Sequence, residues 1–309
     1  MVELFIGGRR VERFSSSISC REIGLAHCQL SCHASSSPSA LNQPAVNFLM
    51  SEAKVNASSK GLLARKRSSF AQNYSQEFPR GLTGLHLTTY FGPETVVKLL
   101  LDTGKVEADS IDNCGRMPLL LAAKNWHDAT IKLMLETGKV DADSKDDYGQ
   151  TPLLYAAHNG YKAIVKLLLE TGKVDADLKD KKGRTPLSHA AEKRREAVVK
   201  LLLKTGKVDA DSKDTDGWTP LLLAAKNRHE AVVKLLLETG KVNADSKDED
   251  GRTPLSYAAN NGYEAIIKLL LETGKAEANS KDNYGRTPLS YAAAKRHKAV
   301  VTLLQKHIN

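Results

Sequence analysis

The chain has 309 residues, of which 41% are hydrophobic and 26% charged, and its formal net charge is +9 at pH 7. No run in the sequence approaches the roughly 18 consecutive apolar residues of a membrane-spanning helix, which excludes a transmembrane protein. Four cysteines are too few for a disulfide scaffold of this length. The apolar start precedes Arg9 and Arg10, the reverse of a secretory signal peptide, so we expect an intracellular protein of the cytoplasm or nucleus.

The first predicted segment, residues 1–80, is a serine-rich leader without sustained apolar periodicity. It holds 10 Lys and Arg against 5 Asp and Glu, so it carries over half of the net positive charge. Such a composition cannot bury a core of its own. We therefore expect the leader to be mostly disordered, with at most a brief helix near residues 46–50.

From residue 81 onward the chain repeats itself with a period of 34 residues. Six intact copies of one pattern follow a degenerate first copy, GLTGLHLTT, so the array has seven units. The units begin at Gly81, Gly115, Gly149, Gly183, Gly217, Gly251 and Gly285. We expect residues 81–309 to form one repeat array.

The unit that begins at Gly183 shows how each copy folds. Thr185 is suited to cap a helix, because its hydroxyl can accept a hydrogen bond from a free amide of the first turn. Pro186 is suited to the first helical position, because proline has no amide hydrogen that would need a partner there. Residues 196–204 are apolar around most of a helix circumference, which predicts a second helix held between neighbours, and Gly206 ends it. No unit can bury these leucines alone, so the pattern predicts an all-α solenoid with short hairpin-like turns.

Both ends of the array are more polar than its middle. Thr88 and Thr89 replace the alanine pair of the first unit, and Gln305 with Lys306 follows the last leucines. The terminal units of a solenoid need a side that meets water. We therefore expect both ends to face water and the array to be complete within the chain.

The repeated TPL, the alanine pair, the VVKLLL helix and the glycine after it resemble the ankyrin repeat. The family's usual histidine after TPL is kept only at His86, and the period is one residue longer than usual. The resemblance implies an ankyrin solenoid whose hairpin tips and first helices form a concave surface that grips other proteins. The consensus sequence of the second helix and the following turn, LLLETGKVDADSKD, further resembles repeats at the C-terminal end of fungal NACHT-type signalling ATPases.

Several motifs resemble ligand sites but lack the required spacing. Six Thr-Gly-Lys sequences lack the earlier glycine and the following Ser or Thr of a phosphate-binding loop. The acidic residues 141–147 lack the glycine and glutamate positions of a calcium loop. Leader residues that match no zinc pattern are Cys20, His27, Cys28, Cys32 and His33. The array histidines form no catalytic set with a nucleophile and a carboxylate, so we predict no metal site, no cofactor and no enzyme activity.

The units differ most at their hairpin tips and at the residue after the glycine. Protein interfaces concentrate binding energy in Trp, Tyr and Arg. The candidate partner-binding residues are Tyr148, Lys181, Lys182, Arg184, Asp216, Trp218, Arg252, Tyr284 and Arg286. We expect Trp218 to be solvated in the free protein, since most other units have a long polar side chain at that position.

The sequence favours a monomeric, non-catalytic scaffold for a protein partner, with no small-molecule substrate and no membrane. Two alternatives stay open: the recognition end of a NACHT-type signalling ATPase encoded without its ATPase part, and a nucleic-acid-associated nuclear regulator. A pI near 9.2 and the basic cluster 65–67 favour the second alternative. Acidic turns such as residues 248–250 would repel phosphate and count against it.

Overall fold

The structure is a computed structural model that describes residues 2–6, 9–14, 82–92, 94–273 and 276–308. In the leader, β1 (Val2–Ile6) and β2 (Arg9–Phe14) form an antiparallel hairpin in which Ile6 pairs with Arg9. No hairpin was predicted here from the sequence. The candidate zinc residues, the segment 46–50 and the cluster 65–67 lie outside the described residues.

In the rest of the described chain there are fourteen helices, two in each of seven units, joined by turns. The first helices are α1 (Gly84–Phe91), α3 (Pro118–Lys124), α5 (Pro152–Asn159), α7 (Pro186–Glu192), α9 (Pro220–Lys226), α11 (Pro254–Asn261) and α13 (Pro288–Ala294). The second helices are α2 (Glu94–Asp102), α4 (Asp128–Glu136), α6 (Lys162–Glu170), α8 (Glu196–Lys204), α10 (Glu230–Glu238), α12 (Glu264–Glu272) and α14 (Lys298–Ile308). The predicted all-α solenoid of seven units is confirmed.

Local capping sets the start of the first helices. The Thr185 side chain accepts a hydrogen bond from the Ser188 amide, and Pro186 is the first residue of α7, as predicted. The same threonine cap occurs in every unit except the second, where Met117 stands at the cap and makes no side-chain bond. Helix starts therefore follow a local Thr-Pro signal in five of the seven units, while the first unit keeps only the threonine and the second only the proline.

Stacking of successive units buries the inner faces of both helices. Leu187, Ala190 and Ala191 of α7 are fully buried, and the small alanines let neighbouring first helices approach closely. Val198 and Leu202 of α8 are fully buried as well. First helices contact the first helices of adjacent units, and second helices contact second helices, so one continuous core runs along the array.

The outer side of the second helices meets water. Ala197 is exposed and Leu203 is half-buried, so the fully buried apolar residues of α8 lie on its inner side. On α10, Lys234 Nζ lies 3.9 Å from Glu238 Oε1, and both side chains are largely exposed. None of the helices within the described ranges is both long and apolar enough to span a bilayer.

The first unit contradicts one expectation from its polar residues. Thr88 and Thr89 are buried, not water-facing. Their hydroxyls donate to backbone carbonyls of α1, Thr88 to Leu85 at 3.0 Å and Thr89 to Leu85 at 2.9 Å. Helical threonines satisfy themselves in this way, and the expectation of a polar outer face at these two positions was wrong.

Candidate protein-binding surface

A buried aspartate organises each turn between units. Asp180 Oδ1 accepts hydrogen bonds from the amides of Lys182 and Arg184, both at 2.9 Å. At each of the other turns between units, the Oδ1 of an aspartate likewise accepts a hydrogen bond from the backbone amide four residues further along the chain. The buried aspartates are Asp112, Asp146, Asp180, Asp214, Asp248 and Asp282. The signal in the sequence that identifies them is an Asp three residues before the glycine of every unit after the first.

Two of these aspartates have strongly perturbed acidity. Burial by itself would raise the pKa of Asp180, but hydrogen bonds from His189 and from backbone amides outweigh it and lower the pKa to about 2. The same balance at Asp282, with bonds from Tyr291 and from the Arg286 amide and side chain, lowers its pKa to about 2. Both groups are therefore carboxylates at neutral pH, and the turns are held by charge-assisted hydrogen bonds.

The hairpin tips are bonded to one another along the array. The Lys181 amide donates to the Tyr148 carbonyl at 3.1 Å, and the Thr215 amide donates to the Lys182 carbonyl at 2.9 Å. Gly149 has φ +75°, and a Cβ on it would lie 2.8 Å from the Lys181 nitrogen, so the turn needs glycine both for its conformation and for this close approach. The tips thus form a continuous backbone edge that places the tip side chains at regular intervals.

Five of the predicted binding residues project from this edge. Tyr148 and Tyr284 are each 69% exposed, the largest exposure among the large hydrophobic residues described. Lys181, Lys182 and Asp216 are exposed as well. A binding role requires such exposure, and the tip frame holds these side chains without burying them.

The predicted arginines lie next to the tips and are half-buried, not free: Arg184, Arg252 and Arg286. Arg184 Nε lies 3.2 Å from Asp214 Oδ2, and its Nη1 lies 3.2 Å from Glu192 Oε2. Arg286 Nε lies 2.9 Å from Asp282 Oδ2. In the free protein, Arg184 and Arg286 therefore have different acidic partners although the sequence around them repeats.

Trp218 is placed differently from the prediction. Its side chain is half-buried, its ring centroid lies 4.9 Å from that of Tyr257, and Lys226 Nζ lies 4.2 Å from its ring centroid. The expectation of a solvated Trp218 was wrong, because Lys226 of α9 and Tyr257 of the next unit converge on this position. Its packing gives it a structural role in the free protein.

The first helices contribute a column of polar rings that the sequence analysis missed. Each ring follows the turn aspartate by nine residues and bonds to its Oδ2: Tyr155, His189, Tyr257 and Tyr291. Burial and the adjacent aspartate raise the pKa of Tyr257 above its ordinary value, so it stays a neutral donor. The recurring nine-residue interval between Asp and a polar ring is the signal that could have found this column.

Another exposed aromatic residue lies at the end of the first helices opposite to the hairpin tips. Trp126, between α3 and α4, is 64% exposed, has φ +63°, and stacks on Tyr161 with ring centroids 5.9 Å apart. Positive φ is uncommon for a bulky residue. The sequence analysis missed this residue; its signal is a tryptophan where later units have Gly160, Arg194, Arg228, Gly262 and Arg296.

Several array histidines join one unit to the next. Nε2 of His127, His229 and His297 lies 2.9 to 3.1 Å from a backbone carbonyl oxygen 37 residues earlier. These rings therefore have structural partners. In the portion of the chain that the structure describes, no group of three or more His, Cys, Asp or Glu side chains is placed to hold a metal ion.

Comparison with known proteins identifies the repeat. The family model described as "Ankyrin repeats (3 copies)" matches residues 34–146, 85–180, 172–248 and 240–309. Among 552 matching chains of solved structures is the ankyrin repeat domain of Bcl-3, described as a unique member of the IkappaB protein family. The two share 28% identity with a TM-score of 0.64, over 72% of this chain and 99% of that domain. No curated protein matches the sequence.

Proposed function

The chain belongs to the ankyrin-repeat family, whose domains are typical of protein–protein interaction, and on that premise we propose that it is a non-catalytic scaffold. It binds a protein partner through the tip face, which we define as the hairpin tips together with the first helices. It acts as a monomer in the cytoplasm or nucleus. The supporting observation is that one repeated frame of buried aspartates and bonded tips carries side chains that differ from unit to unit.

The side chains on this frame suit protein recognition. Tyr148 and Tyr284 are rigid, exposed aromatics, the kind of residue in which interfaces concentrate binding energy. Lys181 and Lys182 place two positive charges between them, while Asp216 follows in the next unit. A partner with an apolar contact at each tyrosine, an acidic group opposite the two lysines and a basic group opposite Asp216 would match this order.

The tip face differs in kind from the outer side of the second helices. The outer side carries repeated Lys and Glu pairs at helical spacing, such as Lys166 with Glu170 at 3.5 Å. Exposed pairs of this type recur with the same residue types in the second, third and fifth units and offer little to distinguish one partner from another. The two surfaces therefore provide a matched test.

The test begins with capture of partners by the full chain, followed by titration of one purified partner. Tyr148→Ala and Tyr284→Ala should each weaken binding by about 2 kcal/mol, the usual hot-spot scale. Lys166→Ala and Lys234→Ala, on the outer side, should leave the affinity unchanged. Binding that depends on the outer-side lysines and ignores both tyrosines would overturn the proposal.

Two other roles considered from the sequence gain no specific support from the described residues. A NACHT-type receptor role needs a nucleotide-binding part that the described array does not supply. A nucleic-acid role is opposed by exposed acids at the tips, including Asp147, Asp216, Glu249 and Asp250. We therefore propose neither.

A further inference from the structure

A basic groove lies between the first helices of the last two units, α11 and α13. Its volume is about 400 Å³, and we call it the arginine groove after the residues that line it: Arg252, Tyr257, Asn260, Arg286, Tyr291 and Lys295. Three of these side chains are cationic. Among the described residues, no carboxylate belongs to the lining.

The two guanidinium groups are incompletely paired. Arg252 Nε and Arg286 Nη2 are buried and have no hydrogen-bond acceptor among the described residues. Buried N–H groups in folded proteins nearly always have a partner, so each such group calls for an explanation. The side chains of Arg252 and Arg286 are nevertheless 30% and 42% exposed, and both line the groove.

The turn aspartates next to the groove are already engaged by other donors. Asp282 Oδ2 accepts from Tyr291 at 2.6 Å as well as from Arg286 Nε, and Asp248 Oδ2 accepts from Tyr257 at 2.6 Å. These bonds use the phenol hydrogens and fix the two tyrosine rings, and the Cζ of Arg286 lies 5.0 Å from the Tyr291 ring centroid. The groove thus has a rigid aromatic wall and cationic groups with unused donors.

The fourth unit shows what completes such a groove. Its arginine, Arg184, is bound by Asp214 and also by Glu192 of α7 at 3.2 Å. Glu192 has its counterparts two and three periods later at Asn260 and Ala294, which carry no charge. The last two units therefore lack the internal carboxylate that the fourth unit supplies to its own arginine.

We infer that the arginine groove binds a carboxylate side chain from an acidic segment of the partner protein, an inference that rests on the proposed function. Guanidinium groups match planar carboxylates through paired hydrogen bonds. A phosphate dianion fits less well, because Asp250, 3.6 Å from Arg252, and Asp282 repel a double charge more strongly than a single one. The ligand supplies the role that Glu192 has in the fourth unit.

The first experiment measures fluorescence anisotropy of a labelled peptide of consecutive glutamates with the full chain, against the same peptide made of glutamines. We expect binding of the glutamate peptide alone. Asn260→Glu and Ala294→Glu, which place a carboxylate where the fourth unit has one, should each weaken binding by about tenfold. Asn260→Gln and Ala294→Gln are the matched controls and should bind like the wild-type chain. Ala294 is exposed, so its substitution should leave the melting temperature unchanged.

A second set of variants separates this groove from general attraction to a basic protein. Arg252→Gln and Arg286→Gln should each reduce the affinity by about tenfold, whereas Arg194→Gln, which removes an arginine that is paired with Glu196 outside the groove, should not. Equal losses from all three substitutions would show a non-specific effect of net charge and overturn the inference. Wild-type affinity in both glutamate-insertion variants would overturn it as well.

A phosphoserine peptide provides the remaining arm. Tighter binding of that peptide than of the glutamate peptide, lost in Arg252→Gln, would replace the carboxylate by a phosphorylated segment and overturn the assignment. The result is separable from the test of the proposed function. If the groove variants bind the glutamate peptide with unchanged affinity, the groove assignment is overturned even if the tip variants lose a partner. If a partner binds the tip variants as tightly as the wild-type chain, the proposed function is overturned even if the groove binds glutamate.

Discussion

The fourth unit and the last two units contain the same six residues, Gly-Arg-Thr-Pro-Leu-Ser, and yet present different surfaces. In the fourth unit, Arg184 is held by two carboxylates, whereas Arg252 and Arg286 keep buried N–H groups without an acceptor. One source of the difference is the residue eight positions further on, which is Glu192 in one case and Asn260 or Ala294 in the others. A second source is the turn aspartate: Asp214 pairs with Arg184, whereas its counterpart Asp282 bonds Arg286 and Tyr291. A repeat array can thus keep one fold and change the chemistry of its surface with a few side chains.

The largest expected effect concerns the layer beneath the two regions, which is the same in both. Leu202 and Leu270 are fully buried at equivalent positions of α8 and α12. Leu202→Ala and Leu270→Ala should each cost about 2 to 5 kcal/mol of unfolding free energy, measured by urea denaturation. Thr215→Ala, at an exposed tip, is the control and should cost under about 0.5 kcal/mol. A cost near that of the control at either leucine would show that the two cores differ.

The next effect concerns Trp218, which lies in the unit between the two regions. Trp218→Ala removes its contacts with Tyr257 and Lys226, and we expect a loss of about 1 to 2 kcal/mol in unfolding free energy. Because Tyr257 lines the arginine groove, the same substitution should weaken glutamate-peptide binding. Lys226→Met keeps most of the packing and removes only the cation, so it should cost less than half as much. Unchanged stability in Trp218→Ala would restore the solvated placement predicted from the sequence.

A smaller effect is expected from making the fourth unit resemble the last two. Glu192→Gln frees Arg184 Nη1, which should create a second site for the glutamate peptide, with an affinity within about tenfold of the first. Calorimetric titration should therefore change from one bound peptide to two. Glu196→Gln, which removes the acid partner of the exposed Arg194, is the matched control and should leave one site. A single site in Glu192→Gln would show that pairing of the arginine does not decide binding.

The smallest effect is on the pH dependence of stability within the turn that joins the third unit to the fourth. The lowered pKa of Asp180, about 2, contributes stability that is present above its ordinary pKa and lost as the pH falls toward 2. Burial, the largest influence at Asp177, raises its pKa, so its contribution is present at low pH and lost as the pH rises. Between pH 5 and 2.5, Asp180→Asn should make the fall of the urea midpoint shallower and Asp177→Asn should make it steeper. Shifts in the same direction would contradict the assigned pKa directions.

Local signals in the sequence were sufficient for the helices. Thr185 and Pro186 predicted the start of α7 to the residue, and the apolar run 196–204 predicted both bounds of α8. Capping and apolar periodicity act within a few residues, so each unit carries its own instructions, and the 34-residue period multiplies them. The seven-unit solenoid and the exposure of the tip tyrosines follow from the same local information.

Tertiary structure alone decided what each surface side chain contacts. Arg184 takes one partner, Asp214, from the turn 30 residues further along the chain, and Trp218 is covered by Tyr257 of the unit after its own. Thr88 is buried although it stands where a polar outer face was expected. These contacts join residues far apart in the chain, and small differences in neighbouring units change them without changing the repeat pattern. The sequence by itself therefore determined where the helices lie, whereas stacking determined which charged and aromatic groups are left for a partner.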